Sequence, residues 1–434
     1  MTYIVEKIIA RGGFGLVEQL RHPSGAVLAR KTFAPAIPIS NPDELEKLKS
    51  RFRREVKVQT SLNSQSFIPI ISSDLSENPS YLMPLADRNF HEQIVMDRQA
   101  GAIPRKALAD ILNALEELHQ LGFVHRDLKP QNVLLHDDVW KLTDFGLVLP
   151  PQGGTTKLTS MDSNWGTAAY CAPEQSVDFR GSTVAVDIYA FGCILHDIFS
   201  NQPRIPYQRQ TAPGAIGAVI EKCTEQRPDK RFKSIQALRG TLLTLLESTD
   251  GPAASPKAAE WAESLLHIET WDLDKAYAFA RYVNQSSNKE DRYAVFTSFD
   301  EEALTKLFAF DSDLAKHLSL EYCDWVHSTG FSFEYCDVLA KRLELVFDLG
   351  DLECKAAAMI STAELARSHN RWYVMGFVLR LCGPSLDDKI AQRIAIEIEA
   401  AEAGWNFSLC ATGISRTPDA YHPRIAAVLQ KPAT

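Results

Sequence analysis

The stretch LADILNALEELHQLGFVHRDLKPQNVLL, residues 108–135, constrains the chain more than any other. Leu108, Ile111, Leu112, Leu115 and Leu118 recur at intervals of three and four, which puts one apolar stripe on a helix. The helix is expected to end near Gly122. Directly after it come His125, Arg126, Asp127, Lys129 and Asn132, and a second acidic motif, TDFG, follows the turn signal HDD. Side chains of this kind, crowded between apolar runs, are material for chemistry more than for a core.

A second feature lies upstream. ARGGFGLVEQL, residues 10–20, carries glycines at 12, 13 and 15, which let the backbone approach a ligand where a Cβ would otherwise stand. Before it, Tyr3, Val5, Ile8 and Ile9 alternate with polar residues; after it, Leu16, Val17 and Leu20 do so again, up to the turn signal RHPSG. The pattern is a hairpin. Phosphate loops of the Rossmann and Walker kinds run from a strand into a helix, and here no lysine follows the last glycine. If a hairpin loop of this kind covers phosphates, a lysine on the next strand is expected. AVLARKTF supplies Lys31, a compact charge suited to phosphate oxygens. DELEKLKSRFRREVKVQTSL then reads as a helix after Asn41-Pro42, acidic in its first turn and basic later. Glu55 on that helix is the partner expected for Lys31.

With HRDLKPQN at 125–132, DFG at 144–146 and APE at 172–174, the chain resembles the protein-kinase superfamily, in the form called eukaryotic-like Ser/Thr kinases. The resemblance ends near residue 248. It implies an α+β, bilobal kinase fold, with an N-lobe over about 1–85 and a C-lobe over 86–248. It implies that Asp127 accepts the proton of the substrate hydroxyl, that Lys129 neutralises charge on the transferred phosphoryl group, and that Lys31, paired with Glu55, holds the α- and β-phosphates. Asn132 and Asp144 are the implied ligands of Mg2+, with Mn2+ as its alternative. Phosphoryl transfer needs little covalent help from the protein, so a positioned base and metal-holding oxygens supply most of the catalysis. The implied ATP contacts are Gly12, Gly13, Phe14, Gly15, Val17, Ala29 and Lys31, with Met83 as gatekeeper, the Pro84 carbonyl and the Ala86 N–H. Phe145 is expected to pack inward, Asp187 to anchor the catalytic loop, and Glu174 to pair with Arg231. Three positions depart from the pattern. Ala10 replaces the first glycine, with an expected cost in ATP affinity, and Val186 stands where a serine or threonine is usual. Gln59, one turn after Glu55, is polar where an apolar residue often packs, and is expected to loosen the active arrangement without removing any catalytic group.

Arg126 and APE separate the chain from small-molecule phosphotransferases, which share the core but typically read H-G-D and lack APE. Lys129 with Thr167 is the pattern of serine and threonine specificity. A pseudokinase, the non-enzymatic alternative, usually lacks one of Lys31, Asp127 and Asp144, all present here. Arg126 suits pairing with a phosphate on the segment LVLPPQGGTTKLTSMDSNWGT, where Ser163 is the expected phosphosite and Thr159 and Ser160 are its neighbours. Protein substrates with Ser or Thr acceptors follow from the same resemblance, as does autophosphorylation.

Beyond a Gly/Pro/Ser/Ala linker at 249–259, residues 260–434 carry apolar residues at helical spacing and few strand patterns. An all-α accessory domain is expected there, one that recruits substrates, senses a partner protein or self-associates. EYCD occurs at 321–324 and 334–337, too closely spaced for the usual repeats. His317 and His327 read as surface residues. The eight cysteines lie far apart with no CxxC, which suggests neither a disulfide framework nor a zinc site. The N-terminus has no signal-peptide pattern, and the apolar runs VDIYAFGCILHDIF and WYVMGFVLRLCG are too short and interrupted to span a bilayer. A cytoplasmic protein without a membrane partner is expected. Residues 260–434 hold about ten more acidic than basic residues, which argues against nucleic acid as a partner. A kinase domain with no membrane helix after it suggests bacterial cytoplasmic signalling, in stress or phage defence.

Overall fold

Residues 3–145, 169–177, 183–250, 254–265 and 267–430 are described in the computed structural model of the protein, the side chains of 248–250 excepted. The chain divides into two compact units, Met1–Leu242 and Leu243–Thr434.

The first unit opens with the expected hairpin. β1 (Ile4–Arg11) and β2 (Gly15–Arg21) pair antiparallel, and β3 (Val27–Phe33) pairs with β2 after a turn in which Gly25 takes φ 93°. β4 (Ser72–Asp74) and β5 (Ser80–Pro84) complete an antiparallel sheet in the order β1-β2-β3-β5-β4. Helix α1 (Pro42–Ser61) lies between β3 and β4 in sequence. Its start is dictated locally: the Asn41 side chain accepts from the N–H groups of Asp43 and Glu44, and Pro42 needs no partner for a missing N–H. The buried residues of α1 are Phe52, Glu55, Val56 and Gln59, one helical face. Phe52 and Val56 pack with Phe33, Tyr81, Met83 and Ile68 in a single core cluster, with Phe52 edge-on to Phe33 at 6.1 Å. The apolar part of the face fixes the helix on the sheet and thereby sets where Glu55 points.

The rest of this unit is mainly helical. α2 (Phe90–Ala100) starts on a reciprocal Asn89–Glu92 capping box and stops at Gly101, which is left-handed at φ 66°. α3 (Arg105–Gln120) buries Leu108, Ile111, Leu112, Leu115 and Leu118, the stripe read from sequence. β6 (Arg88–Asn89), β7 (Val133–His136) and β8 (Val139–Leu142) form a small sheet. Asp137 and Asp138 join β7 to β8 with φ of 52° and 57°, a tight hairpin turn that aspartate tolerates. α4 (Ala185–Phe199), α5 (Ile216–Cys223) and α6 (Ile235–Asp250) follow. α4 touches the end of α5 so closely at Gly192 that a Cβ there would lie 2.4 Å from Cys223 Cβ.

The second unit is helical: α7 (Pro256–Leu265), α8 (Leu273–Gln285), α9 (Lys289–Thr297), α10 (Glu301–Phe310), α11 (Ser312–Ser328), α12 (Cys336–Leu349), α13 (Leu352–His369), α14 (Trp372–Leu381), α15 (Asp388–Ala400), α16 (Gly404–Gly413) and α17 (Pro423–Leu429). Much of its acidity sits at helix starts, where Asp272, Asp300, Asp311, Asp351 and Asp387 each cap a helix through the side chain. The first EYCD copy falls inside α11 and the second straddles the start of α12, so the two occupy different settings. Among the described residues no cluster of His, Cys, Asp and Glu could hold a metal ion, and no helix is long and apolar enough to cross a membrane.

The core of this unit encloses an ion pair between Arg371 and Asp337. Arg371 donates to both oxygens of the fully buried Asp337 carboxylate, at 2.8 and 2.7 Å, and lies over the Phe333 ring. Removing one partner strands a buried charge, so Asp337→Ala is expected to destabilise the protein by about 3–5 kcal/mol. Chemical denaturation followed by tryptophan fluorescence measures this; a loss below about 1 kcal/mol, the usual worth of an exposed pair, would contradict it.

Candidate functional site

Lys31 occupies the third strand, opposite Val17 on one side and Tyr81 on the other. Its ammonium lies 2.6 Å from Glu55 Oε1 and 3.3 Å from Asp144 Oδ1. Tyr81 Oη donates to the same Glu55 oxygen at 3.2 Å. Burial alone would deprotonate Lys31, but the Asp144 and Glu55 carboxylates outweigh it and hold the amine charged, well above its ordinary range. Asp144 keeps 37% of its side chain open to solvent, yet its surroundings are crowded enough for burial to push the carboxyl upward. Lys31, with help from Lys129 and His125, reverses that push and brings it down to about 2.

The loop carrying Asp127 is hung from one buried group. Asp187, in the first turn of α4 and fully buried, accepts from the backbone N–H groups of His125 and Arg126, each at 2.8 Å, and bonds His119 Nε2 at 2.8 Å. Burial raises its carboxyl and these bonds more than offset that, so it stays ionised. The grip holds Arg126 at φ 66°, a left-handed conformation that a non-glycine residue keeps only when its surroundings impose it. Beyond that kink, Lys129 Nζ lies 2.8 Å from Asp127 Oδ2, and Asn132 Nδ2 donates to the Asp127 carbonyl at 2.8 Å and to Oδ2 at 3.2 Å. Asn132 can offer only its NH2 to these two acceptors, so its Oδ1 is not used in either bond. His125 Nε2 reaches the Thr143 carbonyl at 3.1 Å, and its ring lies 5.4 Å from Phe145. Phe145 is buried against Phe67.

The segment after APE is anchored as well. Arg231 grips both oxygens of Glu174 at 2.6 and 2.8 Å, and its guanidinium also meets the Ala185 carbonyl and the Tyr189 ring. Two neighbouring contributions were not legible in the sequence. Gln175 accepts from Ala172 N–H at 2.8 Å and donates to the Arg126 carbonyl at 2.9 Å, tying this segment to the Asp127 loop. Arg51, one turn before Glu55, sits in the field of Asp144, Glu55 and Asp127, although its setting in a run of basic residues reads as a solvated face.

The glycine-rich turn is closed by Gly12 N–H to the Gly15 carbonyl, and the carbonyls of Gly13 and Phe14 accept from Ala36 and Ala34. A Cβ on Gly15 would come within 3.3 Å of Lys31 Cε, so the absence of a side chain makes room for the lysine stem. Phe14 is exposed at the tip. Ala29 and Met83 pair across β3 and β5, both buried, with half-buried Val17 against the same cluster. Pro84 ends β5, two residues before Ala86. Gln59 is buried and donates through Nε2 to the Ile68 carbonyl at 2.8 Å. Its Oε1 is buried without a partner among the described residues, which costs about 1–3 kcal/mol. Ser163, Thr159, Ser160 and Thr167 lie outside the described residues.

The donor set fits a divalent cation held with phosphate oxygens: one ionised carboxylate, one amide oxygen, and an ammonium beside them. Because Lys31 is the largest of the charges that counter burial at Asp144, Lys31→Met is expected to raise the Asp144 carboxyl from its depressed value, the sign that burial dictates. A carbon-detected NMR titration reads this; an unmoved Asp144 would contradict the pairing.

The protein kinase domain model matches residues 3–270, well over half of the chain. The serine/threonine-protein kinase PknB of Mycolicibacterium smegmatis is 27% identical over 258 residues, covering 52% of this chain and 40% of that protein. AfsK of Streptomyces griseus, named likewise as a serine/threonine-protein kinase, is 30% identical over 257 residues, 58% of this chain and 29% of its own length. PknH of Mycobacterium bovis is 27% identical over 260 residues, 54% and 42%. The chain thus spans less than half the length of these relatives. Family members use ATP and a divalent metal, which the Lys31, Asp144 and Asn132 groups are disposed to receive. A lysine shared between a helix glutamate and the DFG aspartate, above a loop hung from a buried aspartate, joins the domain match in one conclusion: the chain belongs to the protein kinase family.

Proposed function

We propose that the protein transfers the γ-phosphoryl group of ATP to serine or threonine hydroxyls of proteins, itself included. The observation that carries this reading is the position of Lys31 between Glu55 and Asp144, beside an Asp127 already bonded to Lys129 and Asn132. Lys129 and Asn132 both bond Asp127 at Oδ2, which leaves Oδ1 as the oxygen to receive the hydroxyl proton. As that proton leaves, the hydroxyl oxygen bonds to the γ-phosphorus, the bond to the bridging oxygen breaks, and ADP departs with the electron pair. Lys129 balances charge on the moving group, and Lys31 holds the α- and β-phosphates in line. Asn132 and Asp144 would hold Mg2+, which supplies positive charge against the phosphate oxygens.

The nucleotide would lie under Gly12, Gly13, Phe14 and Gly15, with its base near Val17, Ala29 and Met83 and bonded to the Pro84 carbonyl and Ala86 N–H. A kinase domain over 1–248, a linker over 249–259 and a helical domain over 260–434 that recruits substrate or answers a partner protein complete the reading. A role in stress or phage-defence signalling rests on that architecture. Acid–base help from a positioned side chain is worth about 10²–10⁴-fold, so Asp127→Ala is expected to lose phosphate transfer by that factor while still binding ATP. Incubation with labelled ATP and Mg2+ reads it. Wild-type protein that labels neither itself nor a generic substrate, and so matches Asp127→Ala, would overturn the assignment.

A further inference from the structure

Gln59 brings a polar group to a place that packing alone would fill with an apolar one. Its Nε2 donates to the Ile68 carbonyl at 2.8 Å, with the side chain almost fully buried. Ile68 is itself tied to the strand that leads to the metal-facing aspartate: its N–H donates to the Leu142 carbonyl at 3.0 Å, and the Leu142 N–H donates to Ser66 at 2.9 Å. Leu142 precedes Asp144 by two residues, and Gln59 follows Glu55 by one helical turn. The two carboxylates that share the Lys31 ammonium are therefore also joined behind it, from Glu55 down α1 to Gln59, across to Ile68, on to Leu142 and up to Asp144.

An apolar residue at 59 could fill the volume, but it would leave rotation and sliding of α1 governed by shape alone. A hydrogen bond to a fixed carbonyl is directional and defines one register. The amide brings little net stability, since what its Nε2 gains at the buried Ile68 carbonyl is offset by an Oε1 with no partner among the described residues. We infer that Gln59 is a positioning residue: its side-chain N–H locks α1 in the register that keeps Glu55 on Lys31, and links that register to the strand bearing Asp144. This inference rests on the kinase reading above. Gln59 touches neither nucleotide nor protein substrate in that reading, and acts through Glu55.

The test uses the full chain. Gln59→Met keeps volume and shape without a donor, and is expected to lower kcat about tenfold, with KM for the protein substrate unchanged and melting temperature little changed, because loss of the unpartnered Oε1 offsets the Ile68 carbonyl left without its donor. Because the effect runs through Glu55, the same substitution in a Glu55→Gln background is expected to add little further loss. A kcat equal to wild type, or a loss undiminished in the Glu55→Gln background, would overturn the inference. Should Gln59→Met not fold, the side-chain NH2 of Gln59 in the wild-type protein decides by NMR: slow hydrogen exchange supports the lock and solvent-like exchange removes it. Wild-type protein with no transfer activity would instead sink the kinase reading, and Asp127→Ala as a blank separates the two failures.

Discussion

The ammonium of Lys31 is the charge on which the first unit turns. It is largely removed from water, and a lone buried amine would lose its proton. Two carboxylates keep it charged, and they arrive from different parts of the chain: Glu55 from the first helix and Asp144 from the end of the β8 strand. Each of these groups satisfies the others, so the sheet, the helix and the strand end meet in one arrangement. Where that arrangement exists, a concentrated positive charge stands beside an ionised carboxylate, the combination that nucleotide phosphates and a divalent cation require together.

A second buried charge does for the Asp127 loop what Lys31 does for the cleft. Asp187 has no solvent contact and spends its oxygens on two backbone N–H groups and a histidine. Val186 stands directly before it where a hydroxyl residue is usual, and the grip is complete without that hydroxyl. Holding a loop by its backbone leaves its side chains free. Asp127, Lys129 and Asn132 can then bond one another, while Arg126 carries the conformational strain.

Much of this was legible in the sequence because the elements obey local rules. The α3 stripe, the Asn41-Pro42 helix start and the HDD hairpin are set by spacing, capping and turn chemistry, and the pairs Lys31–Glu55 and Glu174–Arg231 follow from the family pattern. In the second unit the helical spacing of apolar residues over 260–434 is met by a run of helices, α8 and α11 among them. Short helices are harder to place from sequence: α14, WYVMGFVLRL, is a short apolar run whose buried face is Val374, Met375, Phe377 and Val378, and α9 and α17 span nine and seven residues. The partner of Gln59 was not legible for a related reason. A polar residue on a buried face looks like a defect until the carbonyl opposite it is known, and Ile68 becomes its neighbour only through tertiary structure. Gln175 and Arg51 escaped notice likewise, since their partners are distant in sequence or masked by a run of like charges.

Ala10 sits in β1 opposite Val17, inside the hairpin ladder and short of the turn that Gly12 closes. Its methyl therefore belongs to a strand, and the turn keeps its glycines. The whole account comes down to Lys31 and Asp144 forming one phosphate-and-metal receptor. Calorimetric titration of ATP with and without Mg2+, on wild type and Asp144→Asn, examines this directly. The account predicts that Mg2+ tightens ATP binding to wild type and leaves Asp144→Asn unaffected; an equal gain in both proteins would contradict it.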